Sequence, residues 1–122
     1  MSVQEKEIIE KFYECFYTDP DVIKQYLHPD AELTWNSSTG LRLMDFDDIS
    51  ALASEMSDSY DSLRMEVKDI LKEENQVVIN FTYHVNTIEN PDEEIPMAHF
   101  MAIWKIKDNK LYKGHQFSQL AD

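Results

Sequence analysis

Residues 98–117 read AHFMAIWKIKDNKLYKGHQF, and their pattern decides the fold. Apolar and polar residues alternate on both sides of Asp108-Asn109, the signature of two half-buried strands. Asp-Asn between the strands suits a two-residue hairpin, whose central positions need positive φ. The spacing predicts strands over 96–107 and 110–119. With Lys107 facing Lys110, facing residues share one side of the sheet, so Trp104 is set against Lys113, Ala102 against His115 and Phe100 against Phe117. That side, with Ile106 and Leu111, is the more aromatic and is expected to face inward. His99, Met101, Ile103, Lys105, Gly114, Gln116 and Ser118 are expected on the other side.

Upstream the period of two continues. Strands are expected over 62–72 and 76–88, joined by Glu74-Asn75, and the loop Asn90–Glu94 leads into the last hairpin. Ile79, Phe81, Tyr83 and Val85 form an inward side, with His84 outside. Leu63, Met65 and Val67 match it, but Ile70 is out of step. A bulge near Lys68-Asp69 restores it to the inner face.

Before residue 60 the period is helical. Ser2 with Glu5 forms a capping box for a helix over 2–17, whose stripe is Ile8, Ile9, Phe12, Cys15 and Phe16, flanked by Tyr13. Asp19-Pro20 starts a short helix carrying Val22, Ile23, Tyr26 and Leu27, and His28-Pro29 ends it. A strand is expected at 31–35, a loop at 36–40 and a short strand at 41–44. Asp45 with Asp48 caps a helix over 46–57. Helices followed by an antiparallel meander indicate an α+β fold.

The chain has 122 residues, enough for a single domain spanning 1–122. Its 24 acidic and 11 basic residues give a net charge of −13, which disfavours nucleic acid and anionic membranes as partners. One cysteine, Cys15, and a polar, acidic start with no export signal point to the cytoplasm.

Tyr26–Trp35 (YLHPDAELTW), with Trp104–Leu111 (WKIKDNKL) and His115-Gln116-Phe117, resembles the nuclear transport factor 2-like superfamily, in its SnoaL-like branch. The resemblance covers essentially the whole chain. It implies a cone-shaped, cystatin-like α+β barrel: N-terminal helices packed on a strongly bent antiparallel sheet around an apolar cavity. It implies kinship with polyketide cyclases and ketosteroid isomerases, and a homodimer formed through the outer sheet face. The expected function is binding of a small hydrophobic molecule, with isomerisation, cyclisation or dehydration as the reaction. The alternative is a non-catalytic ligand-binding or dimerisation module. Isomerase-type enzymes of the superfamily carry a carboxylate base where this chain has Trp35 and Asn36, which favours the alternative.

His115, as the inward histidine, is the candidate proton carrier, or else a hydrogen-bonded core residue. Tyr83 and Tyr13 are candidates for steadying negative charge on a ligand oxygen. Trp35, Tyr26, Phe81, Phe100, Trp104 and Phe117 are candidate ligand-binding residues, or else core. His84, His99 and His115 have no His-x-His or His-x₃-His spacing, so neither a metal nor another cofactor is expected.

Overall fold

A computed structural model of the chain describes residues 2–16, 21–87, 89 and 92–121. Three helices and six strands alternate as α1 (Ser2–Cys15), α2 (Asp21–Tyr26), β1 (Leu27–Ser37), β2 (Gly40–Asp45), α3 (Phe46–Ser59), β3 (Tyr60–Glu73), β4 (Gln76–Thr87), β5 (Ile95–Lys107) and β6 (Lys110–Leu120). The strands form one curled sheet in the order β2-β1-β6-β5-β4-β3. All pairings are antiparallel except β1 with β6, which run parallel. The helices pack on the concave side, giving an α+β cone. No helix among the described residues is long and apolar enough to cross a membrane.

The apolar stripe of α1 drives its docking. Ile8, Ile9, Phe12, Tyr13 and Phe16 are all buried, whereas Cys15 is only half-buried. Tyr13, expected to flank the stripe, lies within it. Helix α3 begins with a reciprocal cap: Asp48 N–H donates to Asp45 Oδ1 at 2.9 Å, and Asp45 N–H donates to Asp48 Oδ2 at 3.1 Å. Both first-turn donors are thereby satisfied by carboxylates, which also suits the helix dipole. The proposed cap at Ser2 rests on a side chain outside the described residues. Asp19-Pro20 and, in the loop Asn90–Glu94, Asn90-Pro91 lie outside them too.

Alternation on β5 holds throughout its centre: Ala98, Phe100, Ala102 and Trp104 are buried, and His99, Met101, Ile103 and Lys105 are exposed. The bulge expected near Lys68-Asp69 is present. Val67 pairs with Phe81 and Asp69 with Asn80, so Lys68 is the extra residue and Ile70 returns to the core. The turn at Asp108 and Asn109 has φ of +55° and +61° and joins the facing pair Lys107–Lys110.

A second bulge corrects the face assignment of β6. Ile106 pairs with Leu111, but Lys105 pairs with Lys113, so Tyr112 is an extra residue and every later position changes sides. Trp104 therefore faces Gly114, Ile103 faces His115 and Met101 faces Phe117. His115 and Phe117 point outward and are exposed, and Gln116 points inward and is buried. Without the bulge, Lys113 would oppose the fully buried Trp104, a charge placed in the core. Tyr112 itself is held between His28, whose ring lies edge-on at 4.9 Å, and the cations of Lys107 and Lys113 at 4.7 and 5.2 Å.

Candidate functional site

The concave face of the sheet, α1 and α3 enclose a narrow apolar cavity of about 40 Å³. Phe12 and Tyr13 come from α1, Phe16 from just beyond its end, and Ile49, Leu52 and Met56 from α3; Leu33, Trp35, Tyr83, Phe100 and Gln116 come from the sheet. A wider mouth of about 250 Å³ adjoins it and shares Trp35, Leu52, Met56 and Phe100 as walls. Ser37, Ser38, Thr39 and Ser118 bring hydroxyl groups to this mouth. The two spaces together approach the lower end of the roughly 300–1,000 Å³ typical of small-molecule sites.

A buried hydrogen-bond relay lies at the closed end. Trp104 Nε1–H donates to the Tyr13 hydroxyl at 2.9 Å, and that hydroxyl donates to Gln116 Oε1 at 2.7 Å. An indole nitrogen can only donate, so the Tyr13 oxygen accepts and its proton must turn to Gln116. Burial holds the Tyr13 phenol well above its usual range, an effect only partly offset by the Trp104 hydrogen bond. Tyr13 therefore stays neutral at physiological pH. Tyr83 donates its own hydroxyl proton to the Tyr13 backbone carbonyl at 2.7 Å. That carbonyl sits in the last turn of α1, where it has no partner within the helix. The aromatic floor continues through Phe81, stacked on Phe100 at 5.1 Å and 6°. At the mouth, Trp35 Nε1–H donates to Ser118 Oγ at 2.8 Å.

The family model of the SnoaL-like domain matches residues 9–113. The chain belongs to that family. No curated protein matches it in sequence. Among solved structures it is similar to wild-type IdmH, a proposed polyketide cyclase from Streptomyces antibioticus: 15% identity, 94% of this chain and 91% of that one covered, TM-score 0.76. It is similar to AclR, a proposed hydroxylase from Streptomyces galilaeus, at 16% identity, with coverage of 97% and 80% and a TM-score of 0.77. It also resembles TerC co-crystallized with polyporic acid, at 18% identity, with coverage of 93% and 89% and a TM-score of 0.70. At these identities the likeness establishes the fold.

Within this SnoaL-like domain, the candidate residues singled out from sequence separate into four groups. Tyr13, Tyr83, Trp35 and Phe100 line the cavity. Phe81 and Trp104 are fully buried behind it, because Phe12 and Tyr13 of α1 cover them. Tyr26 borders a separate surface depression with Lys11 and Asn109. His115 and Phe117 leave the cavity altogether: the bulge at Tyr112 turns them outward, where their rings stack at 5.2 Å and 4°. His84 and His99 also face outward, as expected, each with its own partner: Glu66 Oε1 at 2.9 Å and Thr82 Oγ1 at 2.8 Å. The group that sequence reasoning missed is Gln116. Its signal was the implausible inward Lys113, which a one-residue bulge removes.

Proposed function

We propose that this SnoaL-like domain binds a small, largely apolar molecule between α1, α3 and the sheet, and that it acts there as a binding site without proton-transfer chemistry. The observation that carries this reading is the makeup of the walls. Among the described residues lining the cavity and its mouth there is no Asp, Glu, His, Lys or Arg. A general acid or base needs a group that titrates near working pH and reaches the ligand. Tyr13 and Tyr83, the candidates for that work, have already committed their protons to Gln116 and to a backbone carbonyl. The enzyme assignments of IdmH and AclR favour a second reading, catalysis of cyclisation or isomerisation, in which Gln116 polarises a ligand oxygen. Turnover of cyclic enones by the purified chain would replace the first reading with the second.

The binding reading is tested with 2-naphthol as probe, followed by isothermal titration calorimetry. Leu52 stands where cavity and mouth meet, so Leu52→Trp fills the neck. Wild type is expected to give a saturable isotherm, and Leu52→Trp to lose about tenfold in affinity, equivalent to ~1.4 kcal/mol. Equal binding by the two would place the probe elsewhere.

The outer face supports a partner as well. Six of the eight exposed large hydrophobic residues among the described residues lie there: Leu41, Leu43, Leu71, Met101, Ile103 and Phe117. They follow two cross-strand rows, Leu43–Thr34–His115–Ile103–Val78–Leu71 and Leu41–Asn36–Phe117–Met101–Asn80–Asp69. Ion pairs Lys113–Glu32 (2.7 Å), His84–Glu66 (2.9 Å) and Arg64–Glu94 (2.8 Å) flank them. An apolar band with a charged rim is the anatomy of a protein interface. The reading favoured is a homodimer through this face. Sedimentation at micromolar concentration is expected to give twice 14.4 kDa for wild type and 14.4 kDa for the double variant Met101→Glu, Phe117→Glu. A wild-type monomer would overturn it.

A further inference from the structure

We infer that the closed end of the cavity selects an uncharged ligand that carries a hydrogen-bond acceptor, and that Gln116 is the residue that reads it. This rests on the binding reading above and gives the ligand a chemical class.

The relay fixes which end of the Gln116 amide is available. Because Tyr13 must donate to Gln116, the atom facing it is the carbonyl oxygen Oε1, at 2.7 Å. The amide NH₂ is therefore turned away from Tyr13, and among the described residues the hydrogen bond from Tyr13 is the one this side chain makes. Gln116 is only 5% exposed and lines the cavity. The amide nitrogen opens onto the cavity, so an apolar ligand that displaces water from it costs that hydrogen bond, whereas a ligand oxygen restores it. Trp104 and Tyr13 are thus positioning residues: they prevent the amide from flipping to present its oxygen instead.

Every other polar group at the closed end is engaged. Tyr13 bridges Trp104 and Gln116, and the Tyr83 hydroxyl donates to the Tyr13 carbonyl. The closed end therefore offers one fixed donor and an apolar remainder, and the hydroxyl groups lie at the mouth. A ketone, ether or hydroxyl oxygen on a flat ring system satisfies the donor while the ring lies against Trp35 and Phe100, which wall both the cavity and its mouth. A carboxylate would surrender its hydration for a single neutral donor with no cation in the wall, which is unfavourable. The Arg42 guanidinium packs over the Trp35 ring at 5.5 Å and is not a wall residue. The net charge of −13 disfavours anions further.

Three probes of one size separate the possibilities: indane, 1-indanone and indane-1-carboxylate, titrated into wild type and Gln116→Met. Methionine keeps the length of the side chain and removes the amide, and a thermal melt confirms folding before titration. For wild type, 1-indanone is expected to bind about tenfold more tightly than indane, and the carboxylate more weakly than either. In Gln116→Met the ketone preference is expected to fall to near unity with indane affinity retained. If Gln116→Met does not fold, Gln116→Glu replaces it and is expected to lose the ketone preference as well. Equal binding of indane and 1-indanone by wild type would overturn the inference and leave the binding reading standing. So would a carboxylate that binds as well as the ketone. Binding of none of the three would overturn both.

Discussion

Replacing Tyr13 by Phe is expected to destabilise the domain by about 3 kcal/mol at neutral pH, although it removes a single oxygen atom. That oxygen accepts from Trp104 and donates to Gln116, at 2.9 and 2.7 Å. Without it, a buried N–H and a buried C=O both lose their partner, at roughly 1–3 kcal/mol for each orphaned group. The apolar contacts of the ring, with Phe12 at 5.1 Å and Phe81 at 4.8 Å, survive in the variant and do not add to the loss. Urea denaturation of the two proteins measures the difference. A pH series gives it a second signature. The folded-state pKa of Tyr13 is raised above its ordinary 10.0, so the stability that accompanies the neutral phenol is complete below pH 10. Above that pH the unfolded chain ionises first, and this contribution declines. The gap between wild type and Tyr13→Phe should therefore narrow above pH 10. A neutral-pH cost below about 1 kcal/mol would mean that the relay carries little.

Gly114→Ala is expected to cost about 3 kcal/mol and to lower Tm by about 10 °C, at the upper end for an added methyl in a packed core. A Cβ at this position would lie 2.5 Å from Trp104 Cδ2 and Cε2 and 2.6 Å from Cε3. The obstacle is a rigid, fully buried indole that is also anchored through Nε1 to Tyr13, so it cannot swing aside cheaply. The backbone at Gly114 imposes no such demand, since its φ lies outside the left-handed region. The requirement for glycine here is space beneath Trp104. Differential scanning calorimetry measures the shift. A Tm within about 2 °C of wild type would show that Trp104 does not lie over Gly114.

These two positions mark where the sequence was legible and where it was not. The strand alternation, the Asp108-Asn109 hairpin, the Asp45–Asp48 cap and the bulge at Lys68 each leave a local trace: a period, a turn pair, a spacing or an apolar residue out of step. The bulge at Tyr112 leaves a weaker one. It lies three residues beyond the turn, and it improves the pattern only through Lys113, which leaves the core, and Gly114, which enters it. Because side chains alternate with a period of two, one missed residue moved His115 and Phe117 into the cavity on paper and Gln116 out of it. The parallel pairing of β1 with β6 was not legible either, since it joins residues more than 80 positions apart. Aromatic residues raise a further difficulty. Phe81, Phe100, Trp104 and Tyr83 share one alternation, and only the position of α1 separates those that line the cavity from those it covers.

The side on which Gln116 lies decides both the character of the cavity and the fate of the histidines. NMR tests it most directly, through the contacts of the Gln116 side-chain amide and the His115 ring. The expected result is a set of NOEs from the Gln116 NH₂ protons to rings that line the cavity, such as Tyr13 and Phe100. The His115 ring should in turn show contacts with Phe117 and Asn36 and none with those rings. NOEs from the His115 ring to Tyr13 or Trp35, with the Gln116 amide facing solvent, would contradict the bulged register and the uncharged cavity built on it.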